Sequence, residues 1–325
     1  MTSWDGTGLP PAAQARIERF GSTHVRTSLL SVPAAACLDH VGLDTVGEVM
    51  GCMVSQISWT GWGGCGYFGY GGGMGGVYGR GYGGWQRGNP FGTLGTPPMT
   101  STVPPVGATR PSSGGGYSGF APYVDAIHAG YDTALQRMLL EAEAIGADGV
   151  VGVRLSVNHL SDSTREFVAL GTAVRARSIS RPAAVFSTDL SGTDVAKLLL
   201  AGWVPVAVQV AFEIAIRHDD YYTRQQASQW YTNTEVSGYT ELVQHTRMYA
   251  RDQWARKIAH LGAEGAVVSD MNLRIWQMEP AEGHRDHVAE ALIKGTAIAR
   301  FRHGPTSVPR TLGYLPLKTR ATEAR

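Results

Sequence analysis

The sequence predicts an α+β chain built from two β-α-β-β units, each a small antiparallel sheet with one long helix. Three observations predict it. The stretch Ala144-Ile145-Gly146-Ala147-Asp148-Gly149-Val150-Val151-Gly152-Val153 reads as a helix end, a one-glycine stop and the start of a buried strand, and it recurs as His260-Leu261-Gly262-Ala263-Glu264-Gly265-Ala266-Val267-Val268. Each copy is followed by a second echo, Leu170-Gly171-Thr172-Ala173-Val174-Arg175 and Lys294-Gly295-Thr296-Ala297-Ile298-Ala299. The helices leading into the two copies align without a gap, Ile127 with Val243, Ala134 with Ala250, Met138 with Trp254 and Gly146 with Gly262. Tandem duplication accounts for all three better than coincidence does.

Taken in order, residues 1–20 are a polar, proline-containing lead-in, expected to be a flexible tail. The first unit covers 21–180. It opens with Val25–Leu30 as a short strand and Pro33–His40 as a short helix, with Pro33 in the first turn. Val46-Gly47-Glu48-Val49-Met50-Gly51-Cys52-Met53-Val54-Ser55-Gln56-Ile57 follows as a strand whose glycines mark a bulge or a close backbone approach. Residues 59–119 break the pattern: glycine mixed with Tyr, Trp and Phe, then Pro, Ser and Thr, with no period of 2 or 3.6. So much glycine makes ordering costly in entropy, and the segment reads as a disordered insert. From Tyr123, Ile127, Tyr131, Ala134, Met138, Ala142 and Ile145 lie three or four apart and form one helix face. Gly146 caps it. Gly149–Val157, the turn Ser161-Asp162-Ser163 and Arg165–Arg177 complete an antiparallel hairpin.

The second unit covers 181–303 and repeats the order. Phe186–Leu190 is the short strand and Ser191–Ala201 the short helix, capped by Ser191 or Thr193. Trp203–Arg217 is the long strand: from Val204 to Ile216 the large residues fall on every second position. That period of two excludes a membrane helix in a stretch whose length would allow one. A polar loop, His218–Gly238, stands where the first unit has its insert. Val243, Ala250, Trp254, Ile258 and Leu261 mark the helix face, Gly262 the cap, and Gly265–Trp276 with Ala291–Phe301 the hairpin. Residues 304–325 form a flexible, mildly basic tail.

Composition excludes several classes. The net charge of +1 gives no electrostatic drive toward nucleic acid or an acidic membrane. The three cysteines, Cys37, Cys52 and Cys65, form neither a disulfide framework nor a zinc motif, which points to a reducing cytoplasm. The first residues have no basic region followed by an apolar core, so no signal peptide is expected. Gly71, Gly73 and Gly76 match a dinucleotide fingerprint formally, but glycine this dense matches by chance and no helix follows at once. No nucleophile turn, phosphate loop or His-Glu-x-x-His helix occurs, so no catalytic residue is nominated. Glu141 and Glu143 read as exposed helix charges, since their aligned partners are Lys257 and Ala259.

A small sheet with a helix on one face leaves its other face and two edges open. Val204–Ile216 is too apolar to stay so, and packing units side by side into a ring or barrel covers it. A homo-oligomer is expected on this ground alone.

The residues so assembled resemble the YbjQ family, small bacterial and archaeal proteins catalogued as heavy-metal-binding. The motifs are Val46-Gly47-Glu48-Val49-Met50-Gly51, Gly146-Ala147-Asp148-Gly149-Val150-Val151-Gly152-Val153 and Gly171-Thr172-Ala173-Val174 in the first unit. The second unit carries Ala201-Gly202-Trp203-Val204-Pro205-Val206, Leu261-Gly262-Ala263-Glu264-Gly265-Ala266-Val267 and Gly295-Thr296-Ala297-Ile298. The resemblance implies a dodecin-like subunit and a ring, pentameric in single-domain members, so a ring of about five or ten units here. The second unit departs from the pattern at Val206-Ala207-Val208-Gln209-Val210-Ala211, which lacks the glycines.

The family label puts metal first among candidate sites. His284, Asp286 and His287 offer two imidazoles and a carboxylate in a predicted hairpin loop between Glu279 and Ala289, with Glu282 and Glu290 as further ligands for a divalent heavy metal. The ordinary alternative is a solvated polar loop. His218-Asp219-Asp220 is a second cluster with the same alternative. In the insert, Tyr67, Phe68, Tyr70, Tyr78, Tyr82 and Trp85 alternate with glycine beside Arg80 and Arg87. Such stickers suit self-association or capture of a protein partner, and two arginines are a thin basis for nucleic acid. The reading is therefore a non-enzymatic, ring-forming assembly or scaffold protein that displays a glycine-rich loop. The alternative is a metal or small-ligand binder using loops at unit interfaces.

Overall fold

The alternation of large and small residues along the longest strand positions everything else. In the computed structural model, which describes residues 4, 6, 8–22, 27–57, 109–111, 121–161, 163–178, 181–230, 233–278 and 285–301, that strand runs from Trp203 to His218. The elements in order are α1 (Pro11–Ser22), α2 (Val32–His40), β1 (Leu43–Gln56), β2 (Thr109–Pro111), α3 (Ala121–Ala144), β3 (Gly149–His159) and β4 (Thr164–Ala176). They continue with β5 (Phe186–Ser187), α4 (Gly192–Leu200), β6 (Trp203–His218), α5 (Tyr221–Ser228), α6 (Ser237–His260), β7 (Gly265–Met278) and β8 (Asp286–Arg300). One sheet has the order β1-β4-β3-β5, the other β2-β6-β8-β7. Pairing is antiparallel except for β5, which lies parallel to β3.

Each long helix ends at a glycine in the left-handed region, Gly146 at φ +72° and Gly262 at φ +64°. A side chain is strained there, so the chain can turn at once from helix into strand. In the first sheet α3 lies directly on β1. A Cβ at Gly51 would stand 2.0 Å from the Ala134 carbonyl oxygen, so glycine is what permits the approach. Ile127, Tyr131, Ala134, Met138 and Ala142 are buried, and Tyr131 meets Phe167 edge-on at 5.3 Å. Each large side chain so buried contributes about 1.5–3 kcal/mol, enough to hold a helix on a sheet.

The second sheet shows how the apolar strand is covered. The large residues Val208, Val210, Phe212, Ile214 and Ile216 of β6 join one core with α3 of the first unit. The small residues on the opposite face, Ala211 and Ala215, pack instead with Ala250 and Leu242 of α6. β6 is therefore sandwiched between both long helices. On α6 the buried positions are Gly238, Leu242, Thr246, Ala250 and Ile258, while Leu261, just past its end, is exposed. Thr246 is tolerated because its hydroxyl donates to the Leu242 carbonyl at 2.7 Å.

Several expectations need correction. Residues 11–20, read as flexible lead-in, belong to α1, which opens on a proline and is tied to α3 by Arg16. Within the expected insert, Thr109–Pro111 form β2 on the edge of β6 opposite Ala215–Arg217; residues 59–108 and 112–119 lie outside the described residues. The polar loop after β6 contains α5, capped by Asp220, which accepts from the Thr223 amide at 2.6 Å. Residues 304–325 also lie outside the described residues.

Candidate functional site

The two polar clusters of the second unit meet. The β6–β8 register pairs Arg217 with His287 and His218 with Asp286, so the last residues of one strand face the first of the other. The predicted hairpin loop is thus wrong for Asp286 and His287: both are strand residues, because β8 begins seven residues after Glu279, against β6 and β7 together. His284 lies outside the described residues.

The side chains interlock across the strands. His218 Nδ1 is 2.6 Å from Asp286 Oδ1, and His287 Nδ1 is 3.0 Å from Asp219 Oδ2. Tyr239 of α6 donates its hydroxyl to Asp219 Oδ2 at 3.0 Å and lays its ring on His287 at 4.2 Å between centroids. Asp219 and Asp286 are each 1% exposed. A buried carboxylate needs such partners, since its desolvation costs several kcal/mol by order of magnitude. Burial first, and the nearby Asp219 carboxylate second, push the Tyr239 phenol up to about 12. Arg217 extends the group: it reaches Glu241 at 2.6 Å and Asp220 at 3.5 Å. The Asp220 carboxyl is held below its usual range, chiefly by the Thr223 amide.

This corner has the chemistry of a structural clasp. Each imidazole uses Nδ1 on a carboxylate, the arrangement that fixes ring orientation in metal sites as well. Among the described residues, however, no three His, Cys, Asp or Glu side chains are grouped to hold a metal ion. Cys37 and Cys52 are free thiols apart from the clasp.

A second polar group, unmarked by any motif, lies between α3 of the first sheet's layer and β6 of the second sheet. His128 of α3 and Lys257 of α6 straddle the edge of β6. Lys257 Nζ donates to the Val210 carbonyl at 2.8 Å and lies 3.2 Å from His128 Nδ1, while His128 Nε2 is 3.1 Å from the Phe212 carbonyl. This network places the imidazole proton on Nε2. Burial, then the Lys257 charge, lower the His128 value below 6.5; burial also lowers that of Lys257. Glu141, aligned with Lys257 and expected as an exposed charge, is 3% exposed. It accepts from Arg16 at 2.7 and 3.0 Å and from the Met50 amide at 3.3 Å. Helical position alone cannot reveal this, because the burial comes from α1 and the edge of β1. Asp189 receives bonds from the Ser269 and Thr296 hydroxyls beside a cavity of about 300 Å³ lined by Arg154, Asp270 and Lys294.

The polar residues of both groups fasten strands and helices together, and among them none forms a nucleophile–base pair. A protein of Mycobacterium tuberculosis, named encapsulin nanocompartment protein Rv1762c, is 32% identical over 190 residues, which cover 54% of this chain and 67% of that protein. The chain belongs to the family of Rv1762c. Residues 112–177 also match the YbjQ family, described as "Putative heavy-metal-binding". A UPF0145 protein of Halorubrum lacusprofundi is 47% identical over 55 residues, 17% of this chain and 53% of that protein. Another, of Fervidobacterium nodosum, is 40% identical over 58 residues, 18% of this chain and 54% of that protein. The chain thus spans about half the length of these two UPF0145 relatives, against two thirds of Rv1762c. No solved structure matches significantly. Among the described residues no helix is long and apolar enough to cross a membrane.

Proposed function

We propose that the protein is a non-enzymatic assembly protein that forms a homo-oligomeric ring from two dodecin-like β-α-β-β units per chain, with residues 59–119 as an interaction element. The observation that carries this reading is the joint inside the chain. The apolar face of β6, which one unit cannot cover alone, is buried under α3 of the other. A joint of this kind can be repeated between chains.

The duplication is supported by matched detail. Ser31 and Ser191 cap α2 and α4 alike, and Gly42 and Gly202 precede β1 and β6 at φ +81° and +84°. The bulges between Thr45 and Gly47 and between Pro205 and Ala207 are 160 residues apart, as are the glycines. The mycobacterial relative is named for a nanocompartment, and an assembling role agrees with that. The test is the mass of the purified chain by light scattering, with negative-stain imaging. A multiple of the chain mass and ring-shaped particles are expected; a stable single chain overturns the reading.

A second reading, capture of a divalent heavy metal by His284, Asp286 and His287, is favoured by the family description and by the Asp219–His287 pair, which orients the imidazole. Elemental analysis of wild type, His284→Ala and His287→Ala decides it. Metal content unchanged in both variants, or absent from wild type, removes the site.

A further inference from the structure

The edges of the two sheets differ in what covers them. The outer edge of β1 is occupied by side chains: the Met50 amide donates to Glu141, and the Met50 and Cys52 carbonyls accept from Arg16 and Arg137. The edge of β6 is occupied by Lys257, His128 and Gln253, and further on by β2. The edge of β3 is occupied by the segment 186–190, which belongs to the second unit. Phe186 and Thr188 donate to the Asp148 and Val150 carbonyls at 3.1 and 2.9 Å, and Gly152 and Val153 donate to the Leu190 and Thr188 carbonyls at 3.1 and 2.9 Å. Among the described residues, the edge of β7 ends its sheet with no strand upon it. Val268 on that edge is 45% exposed.

The chain carries a second segment built like 186–190. The Leu29 amide donates to the Thr172 hydroxyl, as the Asp189 amide does to that of Thr296, at 3.0 and 3.1 Å. The Leu30 amide bonds the Ser28 hydroxyl as the Leu190 amide bonds that of Thr188, at 3.2 and 3.1 Å. Both segments run into a serine-capped helix. Yet 186–190 has a strand to lie on, while among the described residues the Ser28 amide and the Ser28 and Leu30 carbonyls make no backbone hydrogen bond. The helices that follow differ at their first residues. Gly192, which opens α4, is buried under α2, where a Cβ would stand 2.7 Å from the Ala34 carbonyl oxygen. Val32, its counterpart on α2, is 84% exposed.

We infer that the open edge of β7 receives residues 27–30 of a second copy of this chain, in the parallel pairing that β5 makes on β3. The register follows from the joint already present. Counterparts 116 residues apart on the hairpins and 160 apart on the segments place the Ser28 amide on the Ala266 carbonyl. They place the Ser269 amide on the Ser28 carbonyl and bring the Val268 amide toward the Leu30 carbonyl, although Val268 does not share the φ of +66° from which Gly152 makes its bond. The occupant is a second copy of the chain because the chain supplies both missing halves: an edge at one end, and at the other a segment whose backbone groups match it. Such a contact is head-to-tail, so successive copies close a ring when the rotation allows. Strand addition also removes the hazard of an open edge. The inference rests on the assembly reading and specifies its interface.

The test uses the full chain. Val268→Pro removes the amide offered to Leu30, and a proline is tolerated where an edge amide faces outward. The mass is expected to fall from that of the wild-type assembly to one chain, with the far-ultraviolet circular dichroism unchanged. In a second measurement, Thr27→Cys and Ala266→Cys are placed on separate chains whose Cys37, Cys52 and Cys65 are serine. Mild oxidation of the mixture is expected to give a cross-linked pair that neither chain gives alone. This arm holds even where the proline variant fails to fold. A Val268→Pro protein of wild-type mass, or a mixture without the cross-link, overturns the interface while assembly stands. A wild-type protein that is itself a single chain overturns the assembly reading as well.

Discussion

At the scale of single residues, the aligned pair Glu141 and Lys257 shows how one position takes opposite charges. Both reach over a sheet edge to equivalent strand residues, Glu141 to the Met50 amide and Lys257 to the Val210 carbonyl. An acid answers a donor and a base answers an acceptor. Glu141 further depends on Arg16 of α1, so Arg16→Ala should leave a buried carboxylate under-satisfied and cost about 1–3 kcal/mol. A lower thermal midpoint and faster tryptic cleavage at Arg19 are expected; cleavage at the wild-type rate would show that α1 does not depend on this pair. The clasp at the end of β6 is as exacting. Asp219→Asn removes the charge that receives both His287 and Tyr239 and should also cost about 1–3 kcal/mol. Tyr239→Phe, which deletes one donor and keeps the ring on His287, should cost nearer 1 kcal/mol. Chemical denaturation of the two variants measures the order, and equal costs would argue against a shared network.

At the scale of elements, the docking of α3 on β6 carries a pH dependence. The folded-state value of His128 lies below 6.5 because burial and then Lys257 oppose a second positive charge, with the bond to the Phe212 carbonyl, then Asp132 and Asp125, acting the other way. A base with a depressed value contributes stability that is present above its unfolded value and is lost as pH falls through the folded one. The joint between the units should therefore weaken below about pH 6.5, and His128→Gln, which keeps a donor toward the Phe212 carbonyl, should flatten that part of the profile. Thermal midpoints between pH 7.5 and 5 for the two proteins check this; identical slopes would assign the dependence to other histidines. These elements were legible in unequal measure. The alternation from Val204 to Ile216 and the face from Ile127 to Ala142 marked a strand and a helix, since each period reports its own burial. What lay on each face was not legible, because β6 is covered by α3, a helix that comes about 60 residues earlier in the chain and also packs on the other sheet. The clasp escaped for a related reason. His218 and Asp286 stand 68 residues apart, and only the register of two paired strands joins them.

At the scale of the whole molecule, the proposed assembly has two sources to separate: the folded units and the aromatic-glycine segment inserted in the first of them. The strand geometry allows a sharper cut than composition does. Thr109–Pro111 extend the edge of β6, where the Arg217 guanidinium also meets the Thr109 hydroxyl at 3.4 Å, so a deletion that removes them would disturb the clasp. A deletion of residues 59–108, bridged by a flexible glycine-serine linker, spares β2 and tests the segment alone. If the units assemble through strand edges and covered faces, the shortened chain keeps the wild-type mass across a dilution series, because neither the edge of β7 nor the segment 27–30 is touched. If the aromatic residues alternating with glycine drive association, the mass falls to that of one chain and Val268→Pro has no further effect. Light scattering on wild type, the deletion, Val268→Pro and the combined variant separates the two. An assembly that survives the deletion and is lost with Val268→Pro assigns the interface to the fold and leaves residues 59–108 available for a different partner.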